Sequence, residues 1–370
     1  MKILYAIQGT GNGHISRARD IIPLLRTRCE TDVLVSGYQA DIELPYEVKY
    51  RLRGLSFIFG KKGGVDVWNT YIKANLKKLI QEINSLPIKE YDFVINDFEP
   101  VSAWACYLNK VPCIALSHQS ALLDKNVPKP KKNDLFGKFI LRNYAPSSVR
   151  FGLHFSKYSK DIFTPVIRKE VRGLKKEEKD HYTVYLPSYD DNKMIKLFKQ
   201  VNEVRWQIFS KHSKKILIDQ NVEIYPVTNE GFIQSMVSST GVLCGAGFET
   251  PAEALYLGKK LMVIPMSNQY EQQCNAAALK SMGIPVLNKL KAKHLDKVSD
   301  WVASDFRIEI NYPDITDKIV NTIFDQHIQN IIKKNKWDKN YMLTFPTRNK
   351  KERIDPKKTY KKISSKDKKK

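Results

Sequence analysis

Twice in this chain a run of apolar and β-branched residues breaks into a cluster of glycines that opens at once into a segment of helical spacing. The first run is Lys2 to Gln8, followed by Gly9-Thr10-Gly11-Asn12-Gly13-His14 and then by Ile15, Ala18, Ile22 and Leu25. The second is Val242 to Cys244, followed by Gly245-Ala246-Gly247-Phe248-Glu249-Thr250 and then by Pro251-Ala252-Glu253-Ala254-Leu255. A strand that turns tightly into a helix begins a βα crossover, and crossovers build parallel sheets. The chain is therefore of the α/β class.

The alternation continues on both sides of the middle. Asp32 to Ser36, Tyr46 to Leu52, Phe93 to Asn96 and Cys113 to Ser117 read as strands, with helices at about Val67 to Ser85 and Val101 to Leu108. A glycine- and lysine-rich loop, Gly60 to Gly64, precedes the first of these helices. Residues 166–181 are charged and contain Gly173, as a linker would. Strands then restart at Tyr182 to Leu186, Val204 to Phe209, Val222 to Tyr225, Val242 to Cys244 and Leu261 to Ile264. Helices are expected at Lys193 to Val201, Phe232 to Ser238, Pro251 to Leu257 and Tyr270 to Ser281. A length of 370 residues suits two domains. The expectation is two Rossmann-like domains facing a central cleft: residues 1–165, a linker at 166–181, residues 182–330, and a basic tail at 331–370.

Composition bounds the setting. Five cysteines, at 29, 106, 113, 244 and 274, have no metal-ligand spacing and read as reduced thiols. No stretch approaches the ~18 apolar residues of a membrane span, and the short apolar start is not a signal peptide. A cytoplasmic protein is expected, placed at the inner face of the membrane if its basic segments dock there. Those segments carry much of the net charge of +23, since residues 331–370 hold 16 Lys/Arg against 4 Asp/Glu. Such a tail is either a solvated, disordered extension or an attraction to an anionic membrane surface. No nucleic-acid fold signature accompanies it, and no nucleic-acid partner is expected. The segment Lys125 to Arg142 pairs six Lys/Arg and one Asp with Leu135, Phe136, Phe139, Ile140 and Leu141. That mixture suits a membrane interface or a lipid-linked acceptor, and it equally suits a solvated loop followed by a core helix.

The first glycine loop lacks the marks of a dinucleotide site. His14 stands where the third glycine of that fingerprint belongs, and the second strand ends in Val35-Ser36-Gly37 without a ribose-binding carboxylate. A Gly-Lys-Ser/Thr step is missing too, so no P-loop forms. Gly11 and Gly13 instead line a turn at a cleft, and an imidazole in the first turn of the helix can take a proton from an incoming hydroxyl. The loops after two further strands carry Asp97, Glu99 and His118 to the same sheet edge. Asp97 could orient His14, act as the base itself, or serve as an Asx turn or helix cap. Glu99 and His118 are expected to line the pocket.

In the second loop, Thr250 is expected to cap a helix with Pro251 in its first turn. Free N–H groups there, with the helix dipole, suit a diphosphate. Glu253 lies one turn in, where its carboxylate can bind two vicinal hydroxyls. After the strand ending at Pro265, the helix opens with Gln269, Gln272, Gln273 and Asn275, amides that donate and accept without charge.

In this order and spacing, Gly245 to Asn275 resembles the donor site of GT-B-fold glycosyltransferases. The closest kind is the glycosyltransferase family 28-like group that contains the UDP-N-acetylglucosaminyl transferase of the lipid-linked peptidoglycan precursor. The resemblance implies Gly247 at the phosphate turn, Glu253 on the ribose, Gln272 and Gln273 on the donor sugar, and His14 as the base. With Gly245, Phe248, Glu249, Thr250 and Gln269 these make the expected donor side. It further implies metal-independent, inverting transfer from a nucleoside-diphosphate sugar, with UDP expected, to a hydroxyl. The nucleotide sugar is a co-substrate and no cofactor is expected. Residues 120–180 and the tail depart from the family pattern, which leaves the acceptor open. Two other readings share the architecture: a nucleotide-sugar 2-epimerase, and a non-catalytic protein that binds nucleotide sugars or a membrane surface.

Overall fold

The computed structural model describes residues 1–10, 12–37, 44–55, 59–60, 64–65, 76–132 and 134–331. Gly11, positions 61–63 of the glycine–lysine loop, the first part of the helix expected from Val67 and the tail beyond 331 lie outside the described residues.

The first unit is built on β1 (Lys2–Gln8), β2 (Glu30–Ser36) and β3 (Tyr50–Leu52), with a short antiparallel hairpin, β4 (Phe59–Gly60) and β5 (Gly64–Val65), beside them. It continues with β6 (Phe93–Asp97), β7 (Cys113–Ser117), β8 (Val149–Leu153) and β9 (Ile162–Phe163). Seven strands form one parallel sheet in the order β3-β2-β1-β6-β7-β8-β9. β1 is central and shows why: Ile3, Leu4, Tyr5, Ala6 and Ile7 are all fully buried, as a strand covered on both faces must be. Its helices are α1 (Asn12–Arg26), α2 (Leu76–Ser85), α3 (Pro100–Asn109), α4 (His118–Ala121), α5 (Leu135–Asn143) and α6 (Lys169–Arg172). α1 buries Ile15, Ala18, Ile21, Ile22 and Leu25, the stripe that its spacing predicts. Neither β8 nor β9 is evident from sequence, because Arg150 and Gly152 interrupt one and the other has two residues. Gly152 lets α4 lie against β8; a Cβ there would stand 2.7 Å from the Ala121 backbone.

The second unit comprises β10 (His181–Tyr185), β11 (Arg205–Ser210), β12 (Leu217–Asp219), β13 (Val222–Pro226), β14 (Gly241–Gly245) and β15 (Lys260–Ile264). They make a sheet of order β12-β13-β11-β10-β14-β15, parallel except for β12 on its edge. Its helices are α7 (Asp191–Phe198), α8 (Asn229–Ser238), α9 (Glu249–Tyr256), α10 (Tyr270–Ser281) and α11 (Leu295–Ala303). α12 (Thr316–Ile331) departs from the sequence division. Read with the second half, it packs on α1 of the first. Ile319, Val320, Ile323 and Phe324 join the apolar cluster of Ile15 and Ile21, and the Phe324 ring meets Phe93 edge-on at 5.8 Å. No helix among the described residues is long and apolar enough to cross a membrane.

Candidate active site between the two sheets

Register places the first pair of residues. Ile7 of β1 faces Asp97 of β6, so the carboxylate emerges beside the mouth of the glycine loop, where His14 occupies the first turn of α1. Nδ1 of His14 lies 2.8 Å from Asp97 Oδ1. Arg17, three residues further along the same helical face, grips both oxygens of Asp97: Nε at 3.2 Å to Oδ2, and Nη2 at 2.8 and 2.9 Å to Oδ2 and Oδ1. Asp97 is 0% exposed and the Arg17 side chain 2%, while His14 keeps 13% of its side chain open. Burial pushes the Asp97 carboxyl up, but Arg17 and then His14 outweigh it and hold the group below its ordinary value. Asp97 is thus a buried, ionised carboxylate shared by His14 and Arg17, and of the two candidate groups His14 is the one that keeps solvent access.

The turn and cap roles available to Asp97 fall to its neighbours. Asn96 Nδ2 donates to the Glu99 carbonyl at 2.7 Å and to Ser102 Oγ at 3.0 Å, and its Oδ1 accepts from Glu99 N. Phe98 takes a left-handed conformation with φ 56°. Glu99, expected in the cleft, is 0% exposed and instead caps α3, its two oxygens accepting from Val101 N and Ser102 N at 2.7 Å each. A carboxylate at a helix start satisfies two otherwise orphaned donors. His118 is buried as well. Its Nδ1 is 2.8 Å from the Leu153 carbonyl and its Nε2 2.7 Å from Asn275 Oδ1, while its ring stacks on Phe248 at 4.0 Å. It joins the two units and burial lowers its pKa. Gln119, which sequence reasoning passed over, reaches further into the site. Its Nε2 is 3.5 Å from His14 Nε2 and donates to Glu271 at 3.0 Å.

On the opposite side, β14 ends at Gly245 and the chain enters α9. Phe248 holds the N-cap position and offers no side-chain hydrogen bond. Thr250, expected as the cap, stands inside the first turn with Pro251. That start therefore presents N–H groups with no side-chain acceptor, which is the arrangement that attracts anions. At Gly247 a Cβ would meet nothing within 4 Å, so the loop faces open space there. Gln272 lies near Gly245; its Oε1 accepts from Met266 N at 2.9 Å, and Gln273 Nε2 donates to the Met266 carbonyl at 3.1 Å. Gln269 Oε1 is buried without a hydrogen-bond partner.

Glu253, expected to be available to a ribose, is instead engaged. Arg168, from the segment between the units, donates from Nε at 2.5 Å and from Nη2 at 2.7 Å, and its Nη1 reaches Asn229 Oδ1 at 2.8 Å. Glu249 pairs with Arg17 across the gap, and burial pushes its carboxyl up to about 7 despite that arginine. Gly13 permits this approach, since a Cβ would lie 2.8 Å from Glu249 Cγ. The two glycine loops therefore meet through Gly13 and Glu249 and through Arg17, which the pattern of strands and helices did not single out. Among the described residues no group of three or more His, Cys, Asp or Glu is placed to hold a metal ion.

No curated protein matches the sequence. Among solved structures, MurG of Acinetobacter baumannii superposes with a TM-score of 0.51 at 14% identity, over 90% of this chain and 99% of that one. UGT89C1 of Arabidopsis thaliana, complexed with quercetin, gives 0.54 at 10% identity, over 90% and 95%. The spinosyn rhamnosyltransferase SpnG, complexed with thymidine diphosphate, gives 0.52 at 12%, over 82% and 91%. Identities this low speak for the fold, which is that of GT-B glycosyltransferases. The family model of glycosyl transferase family 1 matches residues 1–304, which span both sheets and both glycine loops. The chain belongs to glycosyl transferase family 1 and is a sugar-transferring enzyme of GT-B fold.

Proposed function

We propose that the enzyme moves a sugar from a nucleoside-diphosphate donor, UDP-linked, to an acceptor hydroxyl with inversion at the anomeric carbon. The observation that carries this reading is the His14–Asp97 pair at 2.8 Å, set opposite an uncapped helix start on the other sheet. With Nδ1 held by Asp97, His14 Nε2 is the atom that takes the acceptor proton. Asp97 remains ionised and stabilises the imidazolium as it forms. The hydroxyl oxygen displaces the nucleoside diphosphate in one step, and a single displacement inverts the centre. The β-phosphate of the leaving group gains its second charge near Gly247 and the first turn of α9, where the N–H groups and the helix dipole oppose it without a metal. On this reading Gln269, Gln272 and Gln273 serve the donor sugar. Glu253 reaches the ribose once Arg168 releases it.

A lipid-linked acceptor fits α5. Leu135 and Phe136 are 72% and 51% exposed, and Lys131 and Lys132 beside them are exposed too. Gly137 of the same helix abuts Tyr270 of α10, which sets this apolar, basic corner next to the proposed donor helix. An anionic membrane surface is the matching partner. Co-sedimentation with vesicles should fall when Leu135 and Phe136 are both replaced by Ser; equal sedimentation would exclude this corner.

The decisive experiment is release of free nucleoside diphosphate from a panel of donors, with and without an acceptor extract. Acceptor-dependent release is expected, and His14→Ala should lower it by roughly 10²–10⁴-fold while donor affinity holds. Near-normal turnover in that variant would remove His14 as the base. An α-to-β or β-to-α change between donor and product, read by NMR coupling constants, tests inversion.

A further inference from the structure

We infer that Arg17 is a positioning residue that ties the orientation of the base to the placement of the donor loop, with Glu249 as its anchor on the opposite unit. This rests on the reading of His14 as the base. A guanidinium that is 2% exposed is strongly disfavoured unless its donors are paired. Arg17 divides them between two carboxylates 152 residues apart in sequence, Asp97 of β6 and Glu249 in the first turn of α9. Its Nη2 also lies 3.3 Å from His14 Nδ1 and shares Asp97 Oδ1 with it. Arginine and histidine thus share one oxygen, each on its own lone pair.

The coupling follows from that sharing. With Glu249 in place, Nη1 is held across the cleft and the guanidinium plane is fixed, and with it both oxygens of Asp97, including the Oδ1 that meets His14. Without that carboxylate Nη1 is left unpaired, the fork is free to turn on Asp97, and the carboxylate that orients His14 turns with it. Base and donor loop are then oriented together or not at all. The contact at Gly13 makes the coupling short, because Glu249 Cγ packs directly on the backbone of the loop that carries His14. Glu249, expected among the donor ligands, acts on this account from behind the base.

Glu249→Gln tests the idea, since this side chain is 20% exposed and its replacement leaves Asp97 and Arg17 paired. Donor turnover is measured first on the wild type, then on Glu249→Gln, Arg17→Gln and the double variant, with UDP affinity by calorimetry and folding by circular dichroism. Loss of kcat of roughly 10–100-fold is expected in Glu249→Gln, of the size that small misplacements of a reacting group cause. Donor KM and UDP affinity should stay near wild type, and the double variant should be no slower than Arg17→Gln. Glu249→Asp should recover part of kcat. A raised donor KM with unchanged kcat in Glu249→Gln would overturn the inference, making Glu249 a donor ligand, and so would additive losses in the double variant. If the wild type turns over no donor, the functional reading fails by itself. The inference is then decided by the His14 side-chain ¹⁵N shifts: movement in Glu249→Gln supports it, and no movement rejects it.

Discussion

Replacing Asp97 by Asn separates stability from chemistry at the centre of the site. Asn keeps the shape of the side chain and removes its charge. Arg17, 2% exposed, then loses the buried carboxylate that takes three of its hydrogen bonds. Removing one partner of a buried ion pair costs about 3–5 kcal/mol. For a domain of this size each kcal/mol moves the melting temperature by about 2–4 °C, so Tm should fall by roughly 6–20 °C. Glu249 remains on Nη1 and holds the loss toward the lower end. The chemical effect is separate. An amide N–H turned toward His14 Nδ1 forces the proton onto Nε2, the atom that must be free to accept one, and turnover should drop about 10²–10⁴-fold at a temperature where the variant is folded. Differential scanning fluorimetry and a coupled assay for released nucleoside diphosphate read the two effects. A folded variant with wild-type turnover would refute the orienting role of Asp97, and an unchanged Tm would refute the buried pairing with Arg17.

Three further outcomes follow from the packing around these residues. Glu99→Ala removes the α3 cap and should cost about 1–2 kcal/mol in a denaturant titration; turnover of the folded variant should hold, because both carboxylate oxygens serve the backbone. Gly152→Ala forces a methyl to 2.7 Å from the Ala121 backbone and should destabilise by about 1–3 kcal/mol, read as a lower urea midpoint. His154 is held down to about 2 by burial and then by His118 and Lys129. Its folded pKa lies below the unfolded value of about 6.5, so its stabilisation is complete above that pH and declines by about 1.4 kcal/mol per unit below it, or roughly 2 kcal/mol at pH 5. His154→Phe should flatten the loss of Tm between pH 7 and pH 5, and an unchanged slope would contradict the assignment.

What the sequence made legible was whatever depends on local period and punctuation. Strands such as Val242 to Cys244 and the helix Tyr270 to Ser281 announce themselves because apolar spacing and glycines are read within a few residues. The meeting of His14 with Asp97 was legible one level higher, since parallel strands deliver their loops to one edge. Arg17 was not. Its partners lie 80 and 232 residues away, and a lone arginine on an amphipathic helix reads as a solvated charge until the partners are placed. Glu99 and Asp97 were separable only in three dimensions, because either carboxylate could have capped the helix that follows. Arg168 hid in a charged stretch that composition marks as linker, although its guanidinium closes on Glu253. Thr250 misled for a related reason: a good capping residue was displaced inward when the helix began two residues earlier.

The return of α12 to the first unit bears on how the chain can be made. Ile319, Val320, Ile323 and Phe324 cover α1 and Phe93, residues more than two hundred positions upstream. A nascent chain on the ribosome can pair β1 with β2 and β6, but the apolar flank of α1 stays uncovered until the last described helix is synthesised. Sealing of the first sheet must therefore wait on the second, and a truncation before Thr316 would leave an adhesive N-terminal half that chaperones are suited to hold.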